Sequence, residues 1–321
     1  MRRVKPPPFT YHRPESVDEA LAVLAEVGTE GKVLAGGQSL LPILSMRLAA
    51  PGHLVDVNRL GDLAYVRSAP DGVRVGALAR HAAVERDDRA AAVQPLLRQA
   101  LRLVAHPTIR NRGTSVGSLA HADPSGELTA VLTLTGGHVT LASTAGRRDV
   151  PAAAFFVGPL ESSVQPGELA VEAFFPALPV RTGTAFVEVS RRHGDYAVCG
   201  VAAAVTLDGD GTVTAARTAY LTMGPVPVAL DATPAARAAR PAGLRLPEAA
   251  TAGAWRAVAA EVTATLQPDD DIHATADYRA ELARVLTARA LAEAARAASA
   301  SASPTRAEGA SARATDEGGD R

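Results

Sequence analysis

The sequence predicts an α+β protein built from two domains. Its 321 residues are about twice the ~150 that one domain typically occupies. Strand and helix patterns alternate through the first half, whereas the second half reads as an antiparallel meander followed by helices. The composition changes near residues 176–179, so we expect domains at 1–177 and 178–297, followed by a disordered tail at 298–321.

The first domain opens with a clear helix start. Ser16 and Glu19 form a capping box ahead of apolar residues at helical spacing. Apolar segments within 63–77 flank Pro70-Asp71-Gly72, which predicts a hairpin. The other elements predicted here are strands at 32–34, 53–57, 138–142 and 167–175, and helices from about 40 to 50 and at 94–105.

The second domain is predicted as three antiparallel strands and two helices. The strands lie at 185–190, 198–207 and 213–223, with a Gly-Asp-Gly turn at 209–211. Helical patterns follow at 247–266 and 276–297. With 47% hydrophobic and only 4% aromatic residues, the cores must consist mainly of Ala, Val and Leu.

Charge and cysteine content exclude several classes of function. The 33 basic and 34 acidic residues give a net charge of −1, which favours neither nucleic acid nor an anionic membrane surface. The single cysteine, Cys199, excludes a disulfide framework, a zinc finger and an iron–sulfur cluster held by this chain alone. No segment approaches the ~18 consecutive apolar residues of a membrane helix. Arg2 and Arg3 resemble the basic start of an export signal, but three prolines, Pro6 to Pro8, follow where such a signal has an apolar segment. We therefore expect a cytoplasmic protein.

The first candidate binding segment is Ala35-Gly36-Gly37-Gln38-Ser39, between a predicted strand and a predicted helix. Consecutive glycines let a ligand approach the backbone closely, and free N–H groups there favour an anion. Asp56 follows twenty residues after Gly36, as the ribose-binding acid of a Rossmann unit would, although the G-x-G-x-x-G pattern is missing. An ordinary strand-to-helix turn remains the alternative.

The second candidate is the segment 110–118, Arg-Asn-Arg-Gly-Thr-Ser-Val-Gly-Ser, which could form an anion-binding nest or only a polar turn between strands. His121, Asp123 and Glu127 follow it. Their spacing matches no zinc pattern, and hydrogen bonds from the carboxylates to sugar hydroxyls suit the setting better than a metal. Asp123 could alternatively cap a helix at Leu128.

The third candidate is the segment 191–197, Arg-Arg-His-Gly-Asp-Tyr-Ala. Ser190, His193 and Asp195 suggest a catalytic triad, but no serine has the G-x-S-x-G setting of a hydrolase. Cys199 lies in an apolar strand pattern, which indicates a packed thiol. Tyr196 beside a glycine turn is either a stacking surface or a core residue.

The three segments occur together and in order as AGGQSLLP (35–42), RGTSVGSLAHADP (112–124) and RHGDYA (192–197). Over residues 5–290 the chain resembles the FAD-binding medium subunit of the molybdenum hydroxylases (the xanthine dehydrogenase and carbon monoxide dehydrogenase family), and most of all the carbon monoxide dehydrogenase type. The resemblance implies a PCMH-type FAD-binding domain, as in vanillyl-alcohol oxidase, with the cofactor between two α+β subdomains. It also implies a carbon monoxide dehydrogenase flavoprotein C-terminal domain with a three-stranded antiparallel sheet and helices.

The resemblance also assigns roles to residues. It implies that the two glycine segments bind the FAD diphosphate, that Asp123 and Glu127 contact ribose or ribityl hydroxyls, and that Leu169 and Tyr196 lie beside the flavin ring. Gln38 stands where some covalent flavoproteins have histidine, so we expect non-covalent FAD. No catalytic acid or base and no metal ligand is assigned to this chain. The implied cofactor-binding residues are Ala35, Gly36, Gly37, Gln38, Ser39, Leu40, Thr114, Ser115, Val116, Gly117, Ser118, Asp123, Glu127, Leu169 and Tyr196.

The function implied is electron transfer within an oxidoreductase complex. A large partner subunit would carry the molybdenum cofactor, a small one two [2Fe–2S] clusters, and this chain the FAD, in a dimer of heterotrimers. The common Thr-Ile-Gly-Gly of the family is replaced by Thr114-Ser115-Val116-Gly117, and the branched Val116 restricts the backbone there. This departure motivates one alternative, an assembly subunit with a decayed flavin site. A stand-alone flavoprotein oxidase of the same fold is the other.

Overall fold

A computed structural model describes residues 6–301 and confirms the α+β class. The first subdomain has a parallel three-stranded sheet in the order β1-β3-β2. Its elements are β1 (Thr10–His12), α1 (Val17–Val27), β2 (Gly31–Leu34), α2 (Leu40–Ser45) and β3 (His53–Asp56). The basic start, Met1 to Lys5, lies outside the described residues.

Helix α1 begins as its sequence predicts. The Ser16 Oγ atom accepts a hydrogen bond from the Glu19 backbone N–H at 3.1 Å, and the Glu19 carboxylate accepts one from the Glu15 N–H at 2.7 Å. Leu21 and Leu24 are buried along the apolar stripe. The N-terminal capping therefore fixes the entry to the helix, and its apolar stripe packs into the core.

The second subdomain contains an antiparallel five-stranded sheet in the order β4-β5-β10-β6-β7. The hairpin at Asp71-Gly72 and the strands near 138 and 169 are confirmed. Edge strand β7 was not predicted, because its Arg-Arg-Asp run shows no apolar alternation. The elements are β4 (Val66–Ala69), β5 (Gly72–Gly76), α3 (His81–Arg86), α4 (Asp88–Val93), α5 (Pro95–Leu101), α6 (Pro107–Arg110), α7 (Ser115–His121), α8 (Glu127–Thr135), β6 (His138–Ser143), β7 (Gly146–Pro151), α9 (Ala152–Phe155), β8 (Phe156–Gly158), β9 (Glu161–Ser162) and β10 (Leu169–Pro176).

The remaining part of the chain forms a four-stranded antiparallel sheet covered by helices, so the expected three strands were one too few. The fourth, β14, is short and follows Pro225 and Pro227, which hide any alternating pattern. The elements are β11 (Thr182–Ser190), β12 (Ala197–Leu207), β13 (Val213–Leu221), β14 (Val228–Asp231), α10 (Thr233–Ala239), α11 (Arg256–Thr263) and α12 (Ala276–Ser301).

Two predicted boundaries at the end of the chain need correction. The helical pattern over 247–266 forms the shorter helix α11, preceded by two 3-10 turns that the buried Trp255 anchors through a hydrogen bond from its Nε1 to the Ala249 carbonyl oxygen. Helix α12 runs on to Ser301, and Ala298 is fully buried, so the predicted tail does not begin at 298. Residues 302–321 lie outside the described part.

The four-stranded sheet has an apolar core on each face. Ala202 and Leu221 belong to the core shared with the first two subdomains. Val201 and Cys199 face the core formed with α12. Cys199 is fully buried, which confirms the packed thiol, and burial raises its pKa to about 12. Within residues 6–301, every helix is too short or too polar to cross a bilayer.

Candidate functional site

A cleft of about 780 Å³ opens between the first two subdomains and reaches the loop before β12. It collects the three sequence segments that are far apart along the chain. All predicted site residues line it except Leu40 and Ser115. The predicted residues lining it are Ala35, Gly36, Gly37, Gln38, Ser39, Thr114, Val116, Gly117, Ser118, Asp123, Glu127, Leu169 and Tyr196.

The turn at 35–39 presents unused backbone donors to the cleft. None of the N–H groups from Gly36 to Ser39 has an acceptor within residues 6–301. Gly37 adopts a φ of 72°, which a side chain would strain, and the Gln38 Nε2 donates to the Gly36 carbonyl oxygen at 3.0 Å. The Gln38 side chain thus stabilises the turn by a hydrogen bond inside the same segment. The backbone N–H groups of Gly36 to Ser39 remain free to bind an anion.

The two glycine segments touch each other at Gly36. A Cβ atom there would lie 2.6 Å from the Arg112 carbonyl oxygen and 2.8 Å from the Gly113 Cα atom. Both neighbours are backbone, which cannot rotate away. Glycine at position 36 therefore allows the two turns to face one ligand from adjacent positions.

The second segment is the start of a helix, so its interpretation as a turn between strands is wrong. Thr114 caps α7, with its Oγ1 accepting from the Gly117 N–H at 3.2 Å. Val116 lines the cleft but is only 1% exposed and packs into the core, so a branched residue fits this helical backbone. Ser115 is buried and points away from the cleft. Its Oγ atom lies 3.3 Å from the His81 Nδ1 atom.

A polar bridge that the sequence did not reveal holds the two segments together. Arg80 donates to the Arg112 carbonyl oxygen and, at 2.7 Å, to the Asn58 Oδ1. The Asn58 Nδ2 donates to the Ala35 carbonyl oxygen at 2.8 Å. Two side chains from separate loops thus fix the spacing of the turns by binding a backbone carbonyl oxygen of each, and no local motif could have indicated this.

Asp56 does not act as a Rossmann-type ribose ligand, because it does not line the cleft. Its carboxylate instead accepts hydrogen bonds from the Tyr11 hydroxyl and from Asn58. Burial raises the pKa of Asp56, but these hydrogen bonds outweigh burial and lower it overall. The role of Asp56 is to orient Asn58.

His81 is a third residue, after Arg80 and Asn58, that sequence reasoning missed. It lies under Gly113, and burial, with a smaller effect of the Arg110 charge, lowers its pKa to about 4. The ring is therefore neutral at physiological pH. It adds no positive charge below the turns and supports the Gly113 backbone by packing.

The acidic side of the cleft contains Asp123 and Glu127. Asp123 accepts from the Ser125 N–H at 2.8 Å and does not cap α8, whose N-cap is Gly126. Burial, then the nearby Glu188 charge, raise the pKa of Glu127 to about 8. The effect of Glu188 on Glu127 was not predicted from the sequence. Glu188 lies on β11, and the sequence around a strand residue does not show which groups the fold brings near it.

The far end of the cleft is formed by the loop before β12. Tyr196 is 65% exposed, so its interpretation as a core residue is wrong. Leu169, on β10, also lines the cleft but is only 3% exposed. Gly194 has a φ of 86° and packs directly against the His106 ring. The Ser190 Oγ donates to the Arg192 carbonyl oxygen.

The cleft has the properties of a dinucleotide site. Free N–H groups and a glycine contact where no Cβ fits suit a diphosphate, half-buried carboxyl groups suit hydroxyls, and an exposed aromatic ring suits a flat heterocycle. The volume is within the usual range for cofactor pockets. These features define a nucleotide-cofactor-binding protein of the α+β class.

Comparison with known proteins identifies the family. Residues 7–178 match the FAD binding domain in molybdopterin dehydrogenase, and residues 184–294 match the CO dehydrogenase flavoprotein C-terminal domain. The chain is 40% identical over 291 residues to 6-hydroxypseudooxynicotine dehydrogenase complex subunit alpha of Paenarthrobacter nicotinovorans, covering 91% of this chain and 96% of that one.

Two solved structures agree with this assignment. Quinoline 2-oxidoreductase from Pseudomonas putida 86 superposes with a TM-score of 0.83 at 34% identity, covering 92% and 99% of the two chains. Carbon monoxide dehydrogenase from Hydrogenophaga pseudoflava gives 0.80 at 37% identity, with the same coverage of 92% and 99%. The chain belongs to the FAD-binding medium subunits of the molybdenum hydroxylase family, and is an oxidoreductase subunit whose cofactor is FAD.

Proposed function

We propose that this chain transfers electrons from the [2Fe–2S] clusters of a small partner subunit, through FAD, to an external acceptor. Bound FAD supplies the two-electron chemistry. The observation that carries the proposal is that Cys199, the single cysteine, is fully buried in the core formed with α12, whereas a separate cleft offers the groups that a dinucleotide needs. A [2Fe–2S] cluster requires four Cys or His ligands, so its iron must be held by another chain.

The residues of the cleft would hold the cofactor in three parts. The N–H groups of Gly36 to Ser39 and the start of α7 would bind the diphosphate, and Asp123 and Glu127 would bind hydroxyls. Leu169 and Tyr196 would flank the ring. Because the donors are already positioned by Gln38 and the Arg80 bridge, binding needs little rearrangement of the turns.

We further propose a domain boundary at residue 177, with the second domain extending from 178 through the end of α12 at Ser301 instead of 297, and assembly in the cytoplasm with a large molybdenum-cofactor subunit as a dimer of heterotrimers. The strand ends on either side, Pro176 and Thr182, support a link between the two sheets at this place. The mass of the intact complex, measured by native mass spectrometry, tests the stoichiometry.

The test of function is reconstitution. The FAD-loaded chain is mixed anaerobically with a large molybdenum-cofactor subunit and a small [2Fe–2S] subunit, sought among the products of neighbouring genes, and the flavin absorbance is followed after substrate addition. We expect bleaching only when both partners are present. Bleaching by a small substrate without partners would instead show a stand-alone oxidase, and a chain that binds no FAD even with its partners would reject the proposal.

A further inference from the structure

Tyr196 is not fixed in the cleft by contacts of its own side chain. The ring is exposed, and within residues 6–301 the Tyr196 hydroxyl has no hydrogen-bond partner and the ring contacts no other aromatic ring. Tyr196 lies in the loop between β11 and β12, which belongs to the second domain. The direction of its side chain therefore depends on what fixes the backbone on either side of it.

On the C-terminal side of Tyr196, the second domain fixes the backbone by itself. The Val198 carbonyl oxygen accepts a hydrogen bond from the Thr222 Oγ1 at 2.7 Å and one from the buried Arg279 Nε at 3.3 Å. Thr222 follows β13, and Arg279 lies on α12. These two bonds hold the start of β12, two residues after Tyr196, but they do not support the loop before it.

On the N-terminal side of Tyr196, a residue of the first domain supports the loop. A Cβ atom at Gly194 would lie 2.5, 2.8 and 2.9 Å from the Cε1, Nδ1 and Nε2 atoms of His106. Because the three ring atoms are almost equidistant, the imidazole presents its face to the glycine. The neighbouring His193 ring packs against the same imidazole, with the ring centroids 6.1 Å apart and the planes at 64°. Any side chain at position 194 would push the loop away from His106.

The segment that carries His106 is itself firmly held. The Arg110 Nη1 donates to the Val104 carbonyl oxygen at 3.0 Å and to the Ala105 carbonyl oxygen at 3.1 Å. The Arg110 Nε donates to the Glu85 carboxylate at 2.9 Å, and the two side chains are only 11% and 20% exposed. Charge-assisted hydrogen bonds of this kind are strong, so they keep Ala105 in its left-handed conformation, with a φ of 44°. His106 therefore extends from a fixed backbone.

We propose that His106 is the positioning residue for Tyr196, and that its ring supports Gly194 so that the Tyr196 ring lies against the flavin. His106 does not line the cleft, whereas Gly194 and Tyr196 do, so His106 acts through the glycine. Glycine is required at position 194 because its backbone has a φ of 86° and no Cβ fits against the ring. The inference rests on the proposed function, in which FAD occupies this cleft with its ring beside Tyr196.

The experiment detects the contact between Tyr196 and the flavin by fluorescence. A tyrosine ring against the isoalloxazine ring quenches flavin emission by electron transfer in the excited state. Titrating the FAD-free full chain with FAD gives both the emission of the bound flavin and the Kd. We expect Tyr196→Ala to lose this quenching and His106→Ala to lose most of it. In both variants the Kd for FAD should rise by about twofold to tenfold, as one aromatic contact is lost.

Three further variants separate positioning from general stability. His106→Phe keeps a flat ring against Gly194 and should retain the quenching. The double variant of His106→Ala and Tyr196→Ala should match Tyr196→Ala alone, because both changes remove the same contact. His273→Ala is the matched control, since His273 is exposed, lies outside the cleft and has no side-chain hydrogen bond within residues 6–301. It should behave as the unchanged protein.

Two results would overturn the inference. One is a folded His106→Ala protein whose bound flavin is quenched as in the unchanged protein, even if its Tm is lower. The other is unaltered flavin emission in Tyr196→Ala, because His106 would then have no ring contact to position. If His106→Ala does not fold, His106→Gln, which also lacks the ring, takes its place in the same comparison. A chain that binds no FAD would instead reject the proposed function, so the two failures are distinguishable.

Discussion

Gly36→Ala tests whether the contact between the two glycine segments builds the flavin site. The added Cβ would lie 2.6 Å from the Arg112 carbonyl oxygen, whereas ordinary contact begins at 3.4 Å, so the turns must separate by ~0.8 Å. Crowding of this kind costs about 1–3 kcal/mol. If this crowding destabilises the arrangement of the two turns that binds FAD, the Kd for FAD rises by about fivefold to a hundredfold.

The assay is titration of the FAD-free protein followed by flavin fluorescence, together with a thermal melt. Gly61→Ala is the matched control, because a Cβ at Gly61 meets no atom within 4 Å and the residue is outside the cleft. We expect wild-type affinity from the control. A Gly36→Ala protein with wild-type FAD affinity and an unchanged Tm would refute the idea that this contact positions the turns.

Four further predictions follow from single side chains. Val116→Gly should lower stability by about 3 kcal/mol in a denaturant melt, from lost burial and a glycine within a helix, without tightening FAD binding; tighter binding would support a decayed site. Asn58→Ala removes the hydrogen bond to Ala35 and should weaken FAD binding about fivefold in the fluorescence titration. Cys199 should react with thiol reagents only on unfolding, since burial raises its pKa to about 12. Burial raises the pKa of Glu188 to about 7, so the carboxyl group keeps its proton in the folded protein at pH values where the unfolded chain, with a pKa near 4.5, has lost it. The free energy of unfolding should therefore fall by about 3 kcal/mol as the pH rises from about 4.5 to about 7. Glu188→Gln should flatten this pH dependence in denaturant melts.

The features predictable from sequence are those set by neighbours in the chain. The Ser16–Glu19 cap and the Asp71-Gly72 hairpin depend on hydrogen bonds and backbone preferences within a few residues. The glycine turn at Gly36-Gly37 was recognisable for the same reason. In each case the local chemistry and the final fold require the same conformation, which is why pattern reasoning succeeded.

The features that escaped prediction depend on residues far apart in sequence. Arg80 and Asn58 look like ordinary surface residues until the fold brings them to the backbone of both turns. Strand β14 exists because β13 offers an open edge, not because its own sequence alternates. Thr114 was taken for part of a turn, although a Thr followed by apolar residues at helical spacing could have indicated a cap.

The placement of Glu188 shows how the two domains depend on each other. The first two subdomains supply the turns and Glu127, and Tyr196 reaches the cleft from the loop between β11 and β12. Glu188 of β11 does not line the cleft, but its charge adds to the effect of burial in raising the pKa of Glu127. A strand pattern can indicate that Glu188 faces a core, yet only the assembled fold shows that its charge acts on an acid of the cleft. The acidic side of the cleft therefore depends on both domains, and Glu188→Gln should lower the pKa of Glu127 while leaving the two glycine turns intact.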